Sequence, residues 1–207
     1  MPKHAFKFPP EVVAAVKQHV RKAIAAVNPA RFHQEANYTS ALVSQLQGEV
    51  YKGEHGSVTF ESTVFDDRGP NSAESRFGAD HAITAIISDG HTTIRKAILV
   101  QAKLGHIDTM SPSEKDSLKS QIRKMKQLVN APKVMEISEA ANARAPAMIS
   151  GNQVLGDQPY KPMTLPEYFA ARVTTTLDGC TDAEVVAAVQ QSSLSRIAVT
   201  AKLIRKQ

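Results

Sequence analysis

The stretch FGADHAITAIISDGHTTIRKAILVQAKLG, residues 77–105, decides the fold. Two apolar runs flank Asp89-Gly90, a pair that favours tight hairpin turns. With a two-residue loop, Ser88 faces His91 and Asp80 lies opposite Leu99. With a four-residue loop, Asp89 to Thr92, Ser88 faces Thr93 and Asp80 lies opposite Gln101. Either even loop sends Asp80, Gln101 and Lys103 to one face, because side chains alternate and opposed residues share a face. A loop of three would put Asp80 on the other side. The apolar pattern selects an even loop, since Ile83, Ile87, Ile98 and Val100 then form one coherent face.

The flanks fit a mixed sheet covered by helices. Upstream, residues 10–27 repeat Val12, Val16, Val20, Ile24 and Val27 at helical spacing, with Pro10 in the first turn and Asn28-Pro29 ending the run. A second helix is predicted over about 31–46, with Gly48 as its C-cap. SVTFESTVF, 57–65, alternates as a strand, and DDRGPNSAES, 66–75, reads as a polar turn. Downstream, SPSEKDSLKSQIRKMKQLV opens with a cap signal and repeats Leu118, Ile122, Met125 and Leu128 as a helix. PKVMEIS is a predicted strand and PAMISGNQVL a strand pair. TLPEYFAARVTTTL and DAEVVAAVQQ are predicted helices, and RIAVTAKLI a closing strand. The expected fold is α/β with an α-α-β-β-β-α-β core in a single domain. Residues 1–47 form N-terminal helices, 48–138 the core and 139–207 a C-terminal mixed α/β extension.

Composition narrows the classes. A chain of 207 residues supports one solid core. No apolar run approaches the ~20 residues of a membrane-spanning helix, and MPKHAFKFPPEVV lacks the apolar stretch of a signal peptide. The single cysteine, Cys180, excludes an internal disulfide and multi-cysteine metal sites, so a reducing, cytoplasmic setting is expected. The formal net charge of +5 is compatible with a nucleic-acid partner. Walker, G-x-G-x-x-G and G-x-S-x-G motifs are all absent, so no nucleotide cofactor is expected.

Asp80 beside the Gln101 side-chain oxygen offers two hard oxygen ligands, which suit Mg²⁺ or Mn²⁺. Lys103, two residues on, can orient a water or stabilise charge on a phosphate. Glu74, in the polar turn, adds a candidate carboxylate. Lys115, Lys119, Arg123, Lys124 and Lys126 surround the helix after the triplet. They read equally as a solvated face or as phosphate contacts. His81 is expected to face away from Asp80, His91 to sit in the turn, and His106 to lie at the surface near the edge of the site.

FGADHAI followed by ILVQAKLG resembles the PD-(D/E)XK nuclease superfamily, of restriction endonuclease-like fold, in a Gln-x-Lys form similar to Mrr-type enzymes. The resemblance covers about residues 31–138. It implies a metal-dependent nuclease hydrolysing DNA phosphodiester bonds, in restriction or phage defence, with Mg²⁺ or Mn²⁺ as cofactor. It also admits a homodimer whose two sites address two strands. It makes Asp80 the principal metal ligand, helped by the Gln101 side-chain oxygen and the Ala102 backbone carbonyl. Lys103 would position the attacking water. Glu35, in QEANYTSALVSQL, would help hold the metal or its water, with Glu74 as an accessory. Gln121, in LKSQIRKMKQL, matches a helix glutamine of that family and would contact nucleic acid with Lys119, Arg123, Lys124 and His106. Gln101 stands where many members carry an acid, which makes the site less negative. The alternatives are therefore an inactive nuclease-fold protein that binds nucleic acid or a protein partner, and an α/β protein whose polar triad is structural.

Overall fold

The computed structural model describes residues 6–65, 72–138, 145–157, 159 and 161–204. Helix α1 (Pro10–Ala26) and α2 (Glu35–Gln45) precede the hairpin β1 (Gly48–Gly53) and β2 (Gly56–Thr63). A short helix α3 (Ala73–Phe77) leads into β3 (His81–Ser88) and β4 (Thr93–Leu104). Helix α4 (Pro112–Lys126), β5 (Lys133–Ile137), β6 (Ala147–Ser150) and α5 (Gly151–Leu155) follow. The chain continues through β7 (Met163–Thr164), α6 (Leu165–Tyr168) with a π-helical turn over Phe169–Val173, α7 (Ala183–Gln191) and β8 (Ser195–Leu203). All eight strands form one mixed sheet in the order β1-β2-β8-β3-β4-β5-β6-β7. Among the described residues no helix is long and apolar enough to cross a membrane.

The strands of the opening stretch pair through a four-residue loop, with Ser88 opposite Thr93. The Asp89 carboxylate accepts the His91 and Thr92 backbone N–H groups at 3.1 and 2.8 Å, which closes the turn. Both faces of the hairpin are covered, so its strands are more apolar than a half-exposed pair would be. Ile83, Ile87, Ile98 and Val100 pack under α1, α2 and α6. Ala82, Ala97 and Leu99 pack under α4 and α7. Helix α4 begins as its sequence predicts: the Ser111 hydroxyl accepts the Glu114 N–H, and the Glu114 carboxylate accepts the Ser111 N–H.

Four expectations need correction. GEVYKG forms β1, which carries too little apolar alternation to stand out. Ser72 caps the unforeseen helix α3 at the end of the predicted polar turn, whose residues 66–71 lie outside the described ones. PAMISGNQVL gives a strand and then a helix, not a strand pair, with Gly151 at the junction close against Ile122 and Pro132. The last strand is no extension: β8 lies antiparallel to β2 and parallel to β3 in mid-sheet.

Gly78 ends α3 in the left-handed region, at φ 71°. A Cβ there would stand 2.6 Å from the Gln121 carbonyl oxygen and 2.9 Å from the Lys124 Cβ. Gly78→Ala is expected to destabilise the protein by about 2–4 kcal/mol, from left-handed strain plus overlap with α4. Urea unfolding reads this.

Candidate active site

The site forms where β4 outruns β3. Their pairing ends at His81–Val100, so the N–H groups of Ala102 and Leu104 have no strand partner on that side. Two carboxylates take their place. Asp80 Oδ2 accepts the Ala102 N–H at 2.6 Å, and Glu35 Oε1 accepts the Leu104 N–H at 3.2 Å. Unpaired backbone donors at a frayed strand edge thus anchor both acids. Asp80 is held by its own N–H, which donates to the Val100 carbonyl at 3.0 Å, and by the α3 turn before it. Glu35 is held by its place in the first turn of α2.

The side chains then close on one another. Lys103 Nζ donates to Glu35 Oε2 at 2.8 Å. Gln101 Nε2 donates to Asp80 Oδ2 at 2.6 Å and lies 3.4 Å from the Ala102 carbonyl oxygen. The remaining amide oxygen of Gln101, a residue only 1% exposed, has no hydrogen-bond partner among the described residues. Glu35, Asp80, Gln101 and Lys103 therefore line the same end of β4, Asp80 bonded to Gln101 and Glu35 to Lys103.

Burial pushes the Asp80 carboxyl up to about 7. The Ala102 N–H and the Lys103 ammonium oppose that rise, while the negative charges of Glu74 and Glu35 add to it. Glu74 thus lies within electrostatic reach, on α3. The stability consequence follows from the sign. An unfolded aspartate releases its proton near its ordinary value of 3.8, whereas the folded one keeps it to about 7. The contribution of Asp80 to stability is full below pH 4 and is lost as pH rises through 7. Asp80→Asn keeps an acceptor oxygen for Ala102. Without added metal it is expected to stabilise the fold at pH 8 by on the order of 2–4 kcal/mol, with no comparable gain at pH 4. Urea unfolding at the two pH values checks it.

The other candidates are placed less centrally. His81 points to the opposite face, where burial lowers its pKa to about 4. Lys119 pairs with Asp157 at 2.7 Å, and the Lys124 ammonium lies 3.4 Å from the Ser75 carbonyl. Arg123 is exposed on α4, and Gln121 is half-buried with an unpartnered side-chain oxygen. Lys115 and Lys119 line a cleft of about 420 Å³ between α4 and the turn at Ile107–Thr109. The outer edge of the site holds a residue missed in the sequence. Glu136, on β5 opposite Lys103, is 8% exposed. It accepts the Ile107 N–H at 2.7 Å and lies 3.6 Å from His106 Nδ1. An acid between Met135 and Ile137 in the strand KVMEI was the signal available.

The oxygens gathered there are of the hard type that a divalent cation takes, and the Gln101 amide nitrogen stands between two of them. An acid, an amide oxygen without a partner and a carbonyl on the open side of β4 are hard oxygen donors. Elsewhere among the described residues, Glu11, Glu54 and His55 cluster at the β1–β2 turn, where both carboxylates converge on the one nitrogen His55 Nε2. That group lies at the surface, with Glu11 and Glu54 exposed.

Comparison with family models, with curated proteins and with solved structures finds no significant match to this chain.

Proposed function

We propose that this chain is a Mg²⁺- or Mn²⁺-dependent nuclease that hydrolyses DNA phosphodiester bonds, on a restriction endonuclease-like version of its mixed sheet. The reading rests on one observation: Glu35, Asp80, Gln101 and Lys103 meet at the frayed end of β4, with a buried amide oxygen left unpartnered. Asp80, Gln101 and the Ala102 carbonyl would hold the cation, with Glu35 and Glu74 as neighbouring carboxylates. When bound, the cation supplies Lewis-acid polarisation of a phosphoryl oxygen and neutralises negative charge.

The chain's own groups supply the rest. Lys103 is fixed by Glu35, so its ammonium is positioned before substrate arrives. It can donate to an attacking water or to the phosphoryl oxygen on which charge develops. Glu35 keeps that amine in place and accepts the Leu104 N–H, so it couples the lysine to the backbone of β4. The basic residues of α4, with His106 and Gln121, supply backbone phosphate contacts, which makes binding weaken as salt rises. A restriction or phage-defence role, and a dimer bringing two sites to two strands, belong to the same proposal.

One observation favours a second reading, an inactive nucleic-acid or protein binder. The Gln101 amide nitrogen lies between Asp80 Oδ2 and the Ala102 carbonyl, two oxygens that a cation would need. Incubation of supercoiled plasmid DNA with Mg²⁺ or Mn²⁺, beside Asp80→Ala and Lys103→Ala, separates the readings. Nicking by wild type alone supports the nuclease. Salt-sensitive binding without nicking supports the second reading. Equal nicking by all three proteins means that the site is wrong.

A further inference from the structure

On the opposite face of the sheet lies a second concentration of charge. Val134 pairs with Gln101, so Lys133, one residue earlier, leaves β5 on the side away from the candidate active site. There β5, β6, α6 and the segment after α6 enclose a cleft of about 250 Å³. Lys133, Lys161 and Arg172 contribute three cations to its wall, and Asp178 the one carboxylate. Lys133 Nζ stands 3.0 Å from Asp178 Oδ2 and 5.7 Å above the Tyr168 ring. The two charged side chains are only 9% and 16% exposed. Among the described residues neither Lys161 nor Arg172 stands in an ion pair. Tyr168 is buried beside Asp178, and its hydroxyl makes no well-aligned hydrogen bond.

The wall is built rather than incidental. Lys96 Nζ donates to the carbonyls of Arg172, Thr175 and Asp178 at 2.7, 2.6 and 2.6 Å, which pins the segment that carries both Arg172 and Asp178. Gly179, at φ 109°, lets that segment lie against Lys96, where a Cβ would come within 2.9 Å of the Lys96 Cδ. The cleft is small for a drug-sized organic ligand but ample for one tetrahedral anion.

We infer that this cleft binds a small phosphate-bearing dianion, either inorganic phosphate or the phosphate of a phosphomonoester. Arg172 offers a two-pronged guanidinium, and Lys133 and Lys161 offer point charges. Asp178 holds Lys133 in place and sets a net charge that favours a dianion over a polyanion.

Calorimetric titration at fixed ionic strength tests this, with inorganic phosphate in one arm and adenosine 5′-monophosphate in the other. Saturable binding is expected in at least one arm, weakened about tenfold or more by Arg172→Gln or Lys161→Gln. Lys52→Gln, an exposed change on β1, is expected to bind like wild type. Saturation in both arms identifies the phosphate group as the ligand. Saturation with the nucleotide alone identifies a phosphomonoester whose organic part contributes. Absence of saturable heat in both arms, or equal affinity in Arg172→Gln with a native circular dichroism spectrum, overturns the inference. None of these readouts involves DNA cleavage, so the inference and the nuclease reading fail independently.

Discussion

Lys103→Ala is expected to slow Mg²⁺- or Mn²⁺-dependent DNA cleavage by about 10²–10⁴-fold, the range for loss of a preorganised charge at the reacting centre. Lys103 is the cation of the foursome, and its ammonium is already held by Glu35 at 2.8 Å. The fold should tolerate the change. The Lys103 side chain is 16% exposed and Glu35 is 30% exposed, so water can solvate the carboxylate left behind. Lys103→Arg keeps a charge but moves it, and is expected to recover part of the rate. Glu35→Gln keeps an acceptor for Leu104 while loosening the lysine, and should fall between wild type and Lys103→Ala. Nicking of supercoiled plasmid, with thermal unfolding as the check on folding, measures the series. Undiminished cleavage by Lys103→Ala would remove this lysine from the mechanism.

Lys96→Met is expected to destabilise the protein by about 3–5 kcal/mol, the cost of removing one side of a buried charged network. Lys96 is 1% exposed. Burial pulls its pKa down to about 7, with Asp178 opposing that fall and Lys133 adding to it. Three acceptors at 2.6–2.7 Å need three N–H donors, which an ammonium has and a neutral amine lacks. Methionine fills the volume but takes the donor away from the Thr175 and Asp178 carbonyls, and leaves the Arg172 carbonyl only the Thr175 hydroxyl at 3.3 Å. Urea unfolding reads the loss. A change below about 1 kcal/mol would mean that water replaces the amine there.

The candidate site was legible because hairpin parity is a strong constraint. Once Asp89-Gly90 is a turn and the loop is even, Asp80, Gln101 and Lys103 share a face whatever the exact register. Glu35 was not legible that way. Nothing in the period of α2 says which strand end its first turn meets, and only the likeness of the motifs suggested it. Glu136 was readable as an acid in a buried strand, yet its place beside Lys103 depends on β5 running parallel to β4. Lys96 was invisible, since it looks like any strand lysine until the chain some eighty residues later wraps it in carbonyls. In the fold itself, the helices and the apolar strands announced themselves by period. The short elements β1, α3 and α5 did not, because their tertiary partners decide them.

The position of β8 bears on when the protein becomes itself. Residues 195–203 fill the gap between β2 and β3, so until they arrive β3 has a bare edge facing a bare edge on β2. Asp80 stands at the start of β3, and the frame that aims it is completed by the latest strand in the sheet. During synthesis at about 5–20 residues per second, the earlier segments wait several seconds in that open form. Chains that stop short of β8 carry all four residues of the candidate site but lack the strand that joins β2 to β3.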